Sequence, residues 1–157
     1  MSAECPFCNK LLHLRELPAD ELVWQFPHSV VLLGPWQFYC GYCIVVNRRH
    51  VSELSELTPA QRHGFFDEMC LTAQAIESCF PPRKLNYELL GNQVPHLHWH
   101  LFPRGADDPD VLRPVWFAVD RAESNEKEKV ALSTGQYPRH EISARLRKEL
   151  ERFTGKK

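Results

Sequence analysis

Three histidines alternate with three apolar residues in the run His96-Leu97-His98-Trp99-His100-Leu101. A period of two is that of a strand, whose successive side chains leave opposite faces of the pleat. The imidazoles therefore share one face, with Leu97, Trp99 and Leu101 in the core behind them. At neutral pH imidazole offers a nucleophilic nitrogen, a proton donor and a metal ligand. Three of them on one face make a poor surface and a costly core, so this strand is the candidate for chemistry. His13, His28, His63 and His140 fall in polar or helical surroundings and read as surface residues.

Six cysteines stand at positions 5, 8, 40, 43, 70 and 79. Met1-Ser2-Ala3-Glu4-Cys5 has no apolar leader, so a cytoplasmic location with reduced thiols is expected. In that setting Cys5-Pro6-Phe7-Cys8 reads as a metal knuckle, because a Cys-x-x-Cys turn sets both thiolates on one side of a tetrahedral zinc. Two sources of completing ligands stay open. Cys40 and Cys43 would make a four-cysteine ribbon. Against it, Cys43 runs straight into Ile44-Val45-Val46, and an extended segment points residues three apart to opposite faces. Only a sharp turn at Gly41 would rescue the ribbon, so both are expected as core residues, as are Cys70 and Cys79 in a helical stretch. The other source is His50, just beyond a central strand, together with His96.

The elements that must hold these residues are legible in outline. Leu22 to Phe26 and Ser29 to Leu33 form a hairpin around Pro27-His28, and Tyr39 to Val46 is a central strand. Thr58-Pro59 caps a helix carrying Phe65, Phe66, Met69, Ala73, Ile76 and Phe80 at helical spacing, stopped by Pro81-Pro82. Leu85 to Leu90 is a strand leading through Gly91-Asn92 to the histidines. Arg113 to Val119 reads as a further edge strand, 121–138 as irregular, and Glu141 to Phe153 as an amphipathic helix. Strands beside their neighbours with one central helix and a C-terminal helix define an α+β domain with an antiparallel sheet of about five strands. Its 157 residues fit a single domain, and a net charge of −1 leaves no basic field for nucleic acid or anionic lipid. No run approaches the about 18 apolar residues of a membrane span.

The run His96-Leu97-His98-Trp99-His100-Leu101-Phe102 resembles the His-φ-His-φ-His-φ-φ signature of the histidine triad (HIT) superfamily of nucleotide hydrolases and transferases. Pro103-Arg104 is similar to its fragile-histidine-triad and dinucleoside polyphosphate hydrolase branch. Gly41 to Val51 looks like the family's glycine, strand and histidine segment. Cys5-x-x-Cys8 is similar to the knuckle of zinc-containing bacterial members and of galactose-1-phosphate uridylyltransferases. The resemblance spans about residues 5–104, leaving 105–157 as a C-terminal extension. It implies a HIT-like fold, a homodimer whose sheets continue across a two-fold axis, and a nucleotide as small-molecule substrate. It also implies a structural zinc on Cys5, Cys8, His50 and His96.

On this resemblance, His98 attacks the α-phosphorus of a nucleoside phosphate derivative and becomes a nucleotidyl-histidine. His100 would bond a phosphoryl oxygen and help protonate the leaving group, with His96 completing the triad. Asn86 and Gln93 would face phosphate or ribose. Four positions depart from the family pattern. Tyr42 stands where many relatives have histidine, and Asn47 where proline is usual. Gln93 replaces Ser or Thr, and Gly34-Pro35 fall where an early ribose-binding residue is expected. Two other classes compete. One is a metal-dependent hydrolase with triad histidines as catalytic ligands and Asp107 or Asp108 as the added carboxylate. The other is a non-catalytic zinc-ribbon module built on Cys5, Cys8, Cys40 and Cys43.

Overall fold

A computed structural model describes residues 5–155. Met1–Glu4, read above as free of an apolar leader, and the last two residues lie outside the described residues. β1 (Leu22–Gln25), β2 (Ser29–Leu33), β3 (Cys43–Asn47), β4 (Lys84–Glu88) and β5 (His98–Arg104) form one antiparallel sheet in the order β1-β2-β3-β5-β4. The sheet is covered on both faces, which is why β2 reads as an unbroken apolar run, Val30 to Leu33, all of it buried.

On one face lie α2 (Pro59–Cys79) and α5 (Arg139–Thr154). Phe65, Met69, Ala73 and Ile76 of α2 and Ile142, Leu146 and Leu150 of α5 enclose Val31, Val45, Leu97, Trp99 and Leu101. The Thr58–Gln61 capping box and Pro59 start α2 as expected from sequence. The opposite face carries two separate apolar clusters. Phe7 and Cys8 of α1 (Pro6–Leu12) pack on Val30, Leu32 and Val46. Ala118, Val119 and Ala122 of α3 (Trp116–Ser124), with Leu132 of α4 (Glu126–Ser133), pack on Phe102, Tyr39 and Tyr42. The histidines of β5 face the gap between these clusters.

Four expectations require correction. Residues 113–119 are not a strand: Val115, Ala118, Val119 and Ala122 are the buried ones, a helical i, i+3, i+4, i+7 stripe. Pro114 precedes the first helical turn instead of marking a sheet edge. The segment 121–138 is largely helical, with Asn125 capping α4 through its side chain. The central strand starts at Cys43, because Tyr39–Tyr42 is a turn closed by Tyr42 N–H to the Tyr39 carbonyl, with Gly41 at φ +89°. Cys70 is exposed because it lies off the buried stripe of α2, and Cys79, the last residue of the helix, packs against the core only half-buried.

Candidate active site and metal centre

The period-two reading of the histidine run holds. Leu97, Trp99 and Leu101 belong to the α2-facing core, and the imidazoles turn to the other face. His96 precedes β5 in a bend, while His98 and His100 are in the strand. Donor–acceptor accounting assigns each ring one tautomer. His98 Nδ1–H donates to the His96 carbonyl at 2.5 Å, which leaves the Nε2 lone pair outward. That Nε2 lies 3.0 Å from His100 Nε2. His100 Nδ1 in turn meets Tyr42 Oη at 2.7 Å. Burial pushes His98 below the usual histidine range, and burial with the neighbouring His98 takes His100 down to about 3. Both rings are neutral at physiological pH.

His96 faces the other way chemically. Its Nε2–H donates to the Asn47 carbonyl at 2.7 Å, so the Nδ1 lone pair points away from that bond. Around Nδ1 stand Cys5 Sγ at 3.4 Å, Cys8 Sγ at 3.6 Å and His50 Nδ1 at 3.3 Å, with Cys8 Sγ 3.3 Å from His50 Nδ1. A tetrahedral zinc with ordinary bond lengths sets nitrogens about 3.3 Å apart and nitrogen–sulfur pairs about 3.6 Å apart. The four residues can therefore hold a metal ion, their ligand atoms all lying within 4.8 Å of one another.

Local sequence explains the convergence. Pro6 opens α1 with Cys5 at its N-cap, so Cys5 and Cys8 share the first turn and one helix side. Asn47 Oδ1 accepts from Arg49 N–H, an Asx turn that swings the chain out of β3 and presents His50. Proline at that position has no such side-chain acceptor, so the departure noted at Asn47 has a local use. The turn at Gly41 that a four-cysteine ribbon needs is present. Yet Cys43 and Cys40 pack with the α2-facing core, away from Cys5 and Cys8.

The histidine face is not open. The Phe7 ring sits 4.6 Å from His98, and Trp116 meets His100 edge-on at 5.3 Å. Glu88, opposite His100 across the β4–β5 ladder, accepts from Trp116 Nε1–H; burial raises its carboxyl above the usual range. The sequence held a signal for Glu88, which shares a face with Asn86 at strand spacing. Phe7 follows from the knuckle that contains it. Trp116 carried none once its segment was read as a strand.

Asn86 and Gln93 make no hydrogen bond to the triad among the described residues. Asn86 Oδ1 accepts from Arg104 Nη1 at 2.9 Å, and Gln93 is exposed in the loop between β4 and β5. Arg104 also binds the buried Asp108 through Nε at 2.5 Å and the carbonyls of Asp110 and Arg113. Asp108 is thus committed to an ion pair, and exposed Asp107 joins no metal-ligand group among the described residues. The triad contributes only His96 to that group. His28, read as a surface residue, is half-buried, with its ring packed close over Gly64.

The HIT domain model matches residues 15–107. The chain is 29% identical over 122 residues to a protein of Schizosaccharomyces pombe named asymmetrical bis(5'-nucleosyl)-tetraphosphatase, covering 74% of this chain and 67% of that one. It is 27% identical over 101 residues to the nitrilase and fragile histidine triad fusion protein of Caenorhabditis elegans, covering 59% of this chain but 22% of that much longer one. Among solved structures, a zinc-bound histidine triad family protein from Mycobacterium smegmatis aligns with a TM-score of 0.66 at 19% identity, over 98% of each chain. A HIT family protein from Bacillus subtilis aligns with a TM-score of 0.61 at 24% identity, over 85% of this chain and 99% of that one. The chain belongs to the HIT domain family.

Proposed function

We propose that the protein is a nucleotide hydrolase or transferase that cleaves at the α-phosphate of a nucleoside phosphate derivative through a covalent nucleotidyl-histidine. The observation that carries this is the fixed tautomer of His98: with Nδ1–H held by the His96 carbonyl, Nε2 is an uncharged nucleophile turned toward His100. His98 Nε2 attacks phosphorus, the bond to the leaving group breaks, and the His96 carbonyl stabilises the charge that develops on the ring. His100 Nε2–H moves from His98 to a phosphoryl oxygen, where a neutral donor stabilises the negative charge of the transition state. Water then attacks the adduct, releasing the nucleotide and restoring His98. Asn86 and Gln93 would meet the ribose or distal phosphates once substrate reorganises the pocket. The names of the tetraphosphatase and fragile histidine triad relatives support a nucleoside polyphosphate.

Cys5, Cys8, His50 and His96 would hold a structural zinc, with every coordination position filled by protein. The metal would keep α1 docked and Phe7 over His98; none of the steps above passes through it.

Incubating the protein with a dinucleoside polyphosphate and quenching in base should trap an acid-labile, base-stable phosphoramidate on His98. His98→Ala should abolish turnover with the fold retained by circular dichroism. His100→Ala should slow turnover by about 10²–10³-fold, the usual worth of one preorganised donor. A His98→Ala protein turning over near the wild-type rate would refute the assignment.

A further inference from the structure

We propose that Tyr42 makes His100 a neutral hydrogen-bond donor and thereby directs the site to nucleoside phosphoanhydrides over nucleoside phosphoramidates. The inference rests on nucleotidyl transfer to His98. The Tyr42 phenol is buried and closely packed. Its ring stacks on Phe102 at 3.9 Å and 13°, and it is also pressed against Gly34, where any Cβ would collide with it. Buried Gln37 braces the turn beneath, donating to the Gly34 and Tyr42 carbonyls and accepting from Gly41 N–H. In this position Tyr42 Oη has one hydrogen-bond partner among the described residues, His100 Nδ1. Two neutral groups can make that bond in two ways, with the phenol as donor or as acceptor.

The far side of His100 decides which. His98 Nε2 already presents a lone pair, because its proton is on Nδ1. A 3.0 Å contact between the two Nε2 atoms therefore requires the His100 proton on Nε2. His100 Nδ1 is left as the acceptor, and Tyr42 O–H is the donor. Burial holds the phenol well above its ordinary range, so it keeps its proton. The other groups facing His100 do not offer it a second proton: Trp116 meets it with a ring edge, and Glu88, which accepts from Trp116 Nε1–H, makes no hydrogen bond to His100 among the described residues.

The consequence lies in the leaving group. When His98 Nε2 bonds to phosphorus, the scissile bond breaks with its electron pair on the departing atom. A polyphosphate oxygen carries that pair as a stable anion and needs no proton. An amine nitrogen needs one as the P–N bond breaks. His100 could give its Nε2 proton only by becoming an anion, or by drawing the Tyr42 proton to Nδ1 and leaving a buried tyrosinate. Either places uncompensated charge in the core of the sheet. The proton-donating share of the role expected for His100 from sequence is what Tyr42 removes.

The test compares kcat/KM for diadenosine tetraphosphate and adenosine 5'-phosphoramidate in wild type, Tyr42→His and Tyr42→Phe, with imidazole ¹⁵N–¹H spectra of the ligand-free proteins. Wild type should favour the anhydride by about 10²-fold, the lower end of what a general acid contributes. Its His100 spectrum should show a single neutral tautomer protonated at Nε2. Tyr42→His, whose ring accepts as well as donates, should move the ratio about tenfold toward the phosphoramidate. Tyr42→Phe keeps the stacked ring but removes the donor, so the His100 Nδ1 resonance should move to that of an unbonded acceptor nitrogen while Nε2 keeps its proton. A His100 proton on Nδ1 in wild type, or one substrate ratio shared by all three proteins, would overturn the proposal. No turnover and no adduct on either substrate would sink the nucleotidyl-transfer reading and the preference together, while the spectrum would still decide the Tyr42–His100 tautomer.

Discussion

His50→Ala would isolate the contribution of a metal bound at the proposed centre, because His50 is the one exposed member of the four-residue group. Removing an exposed side chain costs within about 0.5 kcal/mol when packing is all that changes. Cys8 and His96, at 0% exposure, would lose packing as well and confuse the result. A site that binds the native state with free metal about 10³ above its Kd stabilises that state by about 4 kcal/mol. His50→Ala should therefore cost close to 4 kcal/mol in urea unfolding with metal present, and almost nothing once both proteins are stripped by chelator. Freshly purified, reduced wild type should carry about one zinc per chain, and the variant far less. The loss should also be local. The α2 and α5 core lies on the other face of the sheet, so hydrogen exchange should rise in α1 and the 94–97 segment and stay slow in β2, β3 and α2. The same loss in the presence of chelator, or a full equivalent of metal retained by the variant, would refute the four-ligand assignment.

Two further outcomes follow from the fold. Asp108→Ala should destabilise the protein by about 3–5 kcal/mol in urea titration, because it leaves the Arg104 guanidinium buried at 1% exposure without its carboxylate. A loss below about 1 kcal/mol would show that the Asp110 and Arg113 carbonyls suffice for Arg104. Sedimentation at micromolar concentration should give twice the 18.3 kDa chain mass, since β4 is an unpaired sheet edge with Tyr87 and Leu90 exposed around it. A species of one chain mass alone would dismiss the homodimer expected from the family resemblance.

The parts of this molecule that alternate or recur were legible in its sequence. Period two placed His98 and His100 opposite Trp99 and Leu101, and the 3.6 period with the Thr58-Pro59 cap placed α2. The C-terminal extension misled because Val115-Trp116-Phe117-Ala118-Val119 is as apolar as a strand. Its helical stripe is evident only when Ala122 is counted with it. Asn86 lay beyond reach for another reason. Nothing local says that a buried Arg104, two pleat repeats from His100, will take its carbonyl oxygen. Tyr42 stood out as a departure, but its consequence depends on Gly34, Gln37 and Phe102, which converge only after folding.

His96 and His98 are two residues apart and present different ring nitrogens to their surroundings, and the separation is made by where each ring sends its single proton. His96 gives its proton to the Asn47 carbonyl, which turns Nδ1 toward Cys5, Cys8 and His50. His98 gives its proton to the carbonyl of His96 itself, which turns Nε2 toward His100. The His96 carbonyl is therefore both the backbone of a proposed ligand and the acceptor that sets the tautomer of the proposed nucleophile. Leu97 N–H to the Val51 carbonyl and Asn47 N–H to the Leu97 carbonyl lock the intervening peptide to the turn that presents His50. A displacement of His96 would rotate that carbonyl and release the Nδ1 proton of His98. Both tautomers of His98 would then be populated, and only one has a free lone pair at Nε2. The proposed knuckle and the proposed nucleophile thus share one peptide unit, which would give the amino-terminal Cys-x-x-Cys a bearing on the histidine strand some 90 residues away.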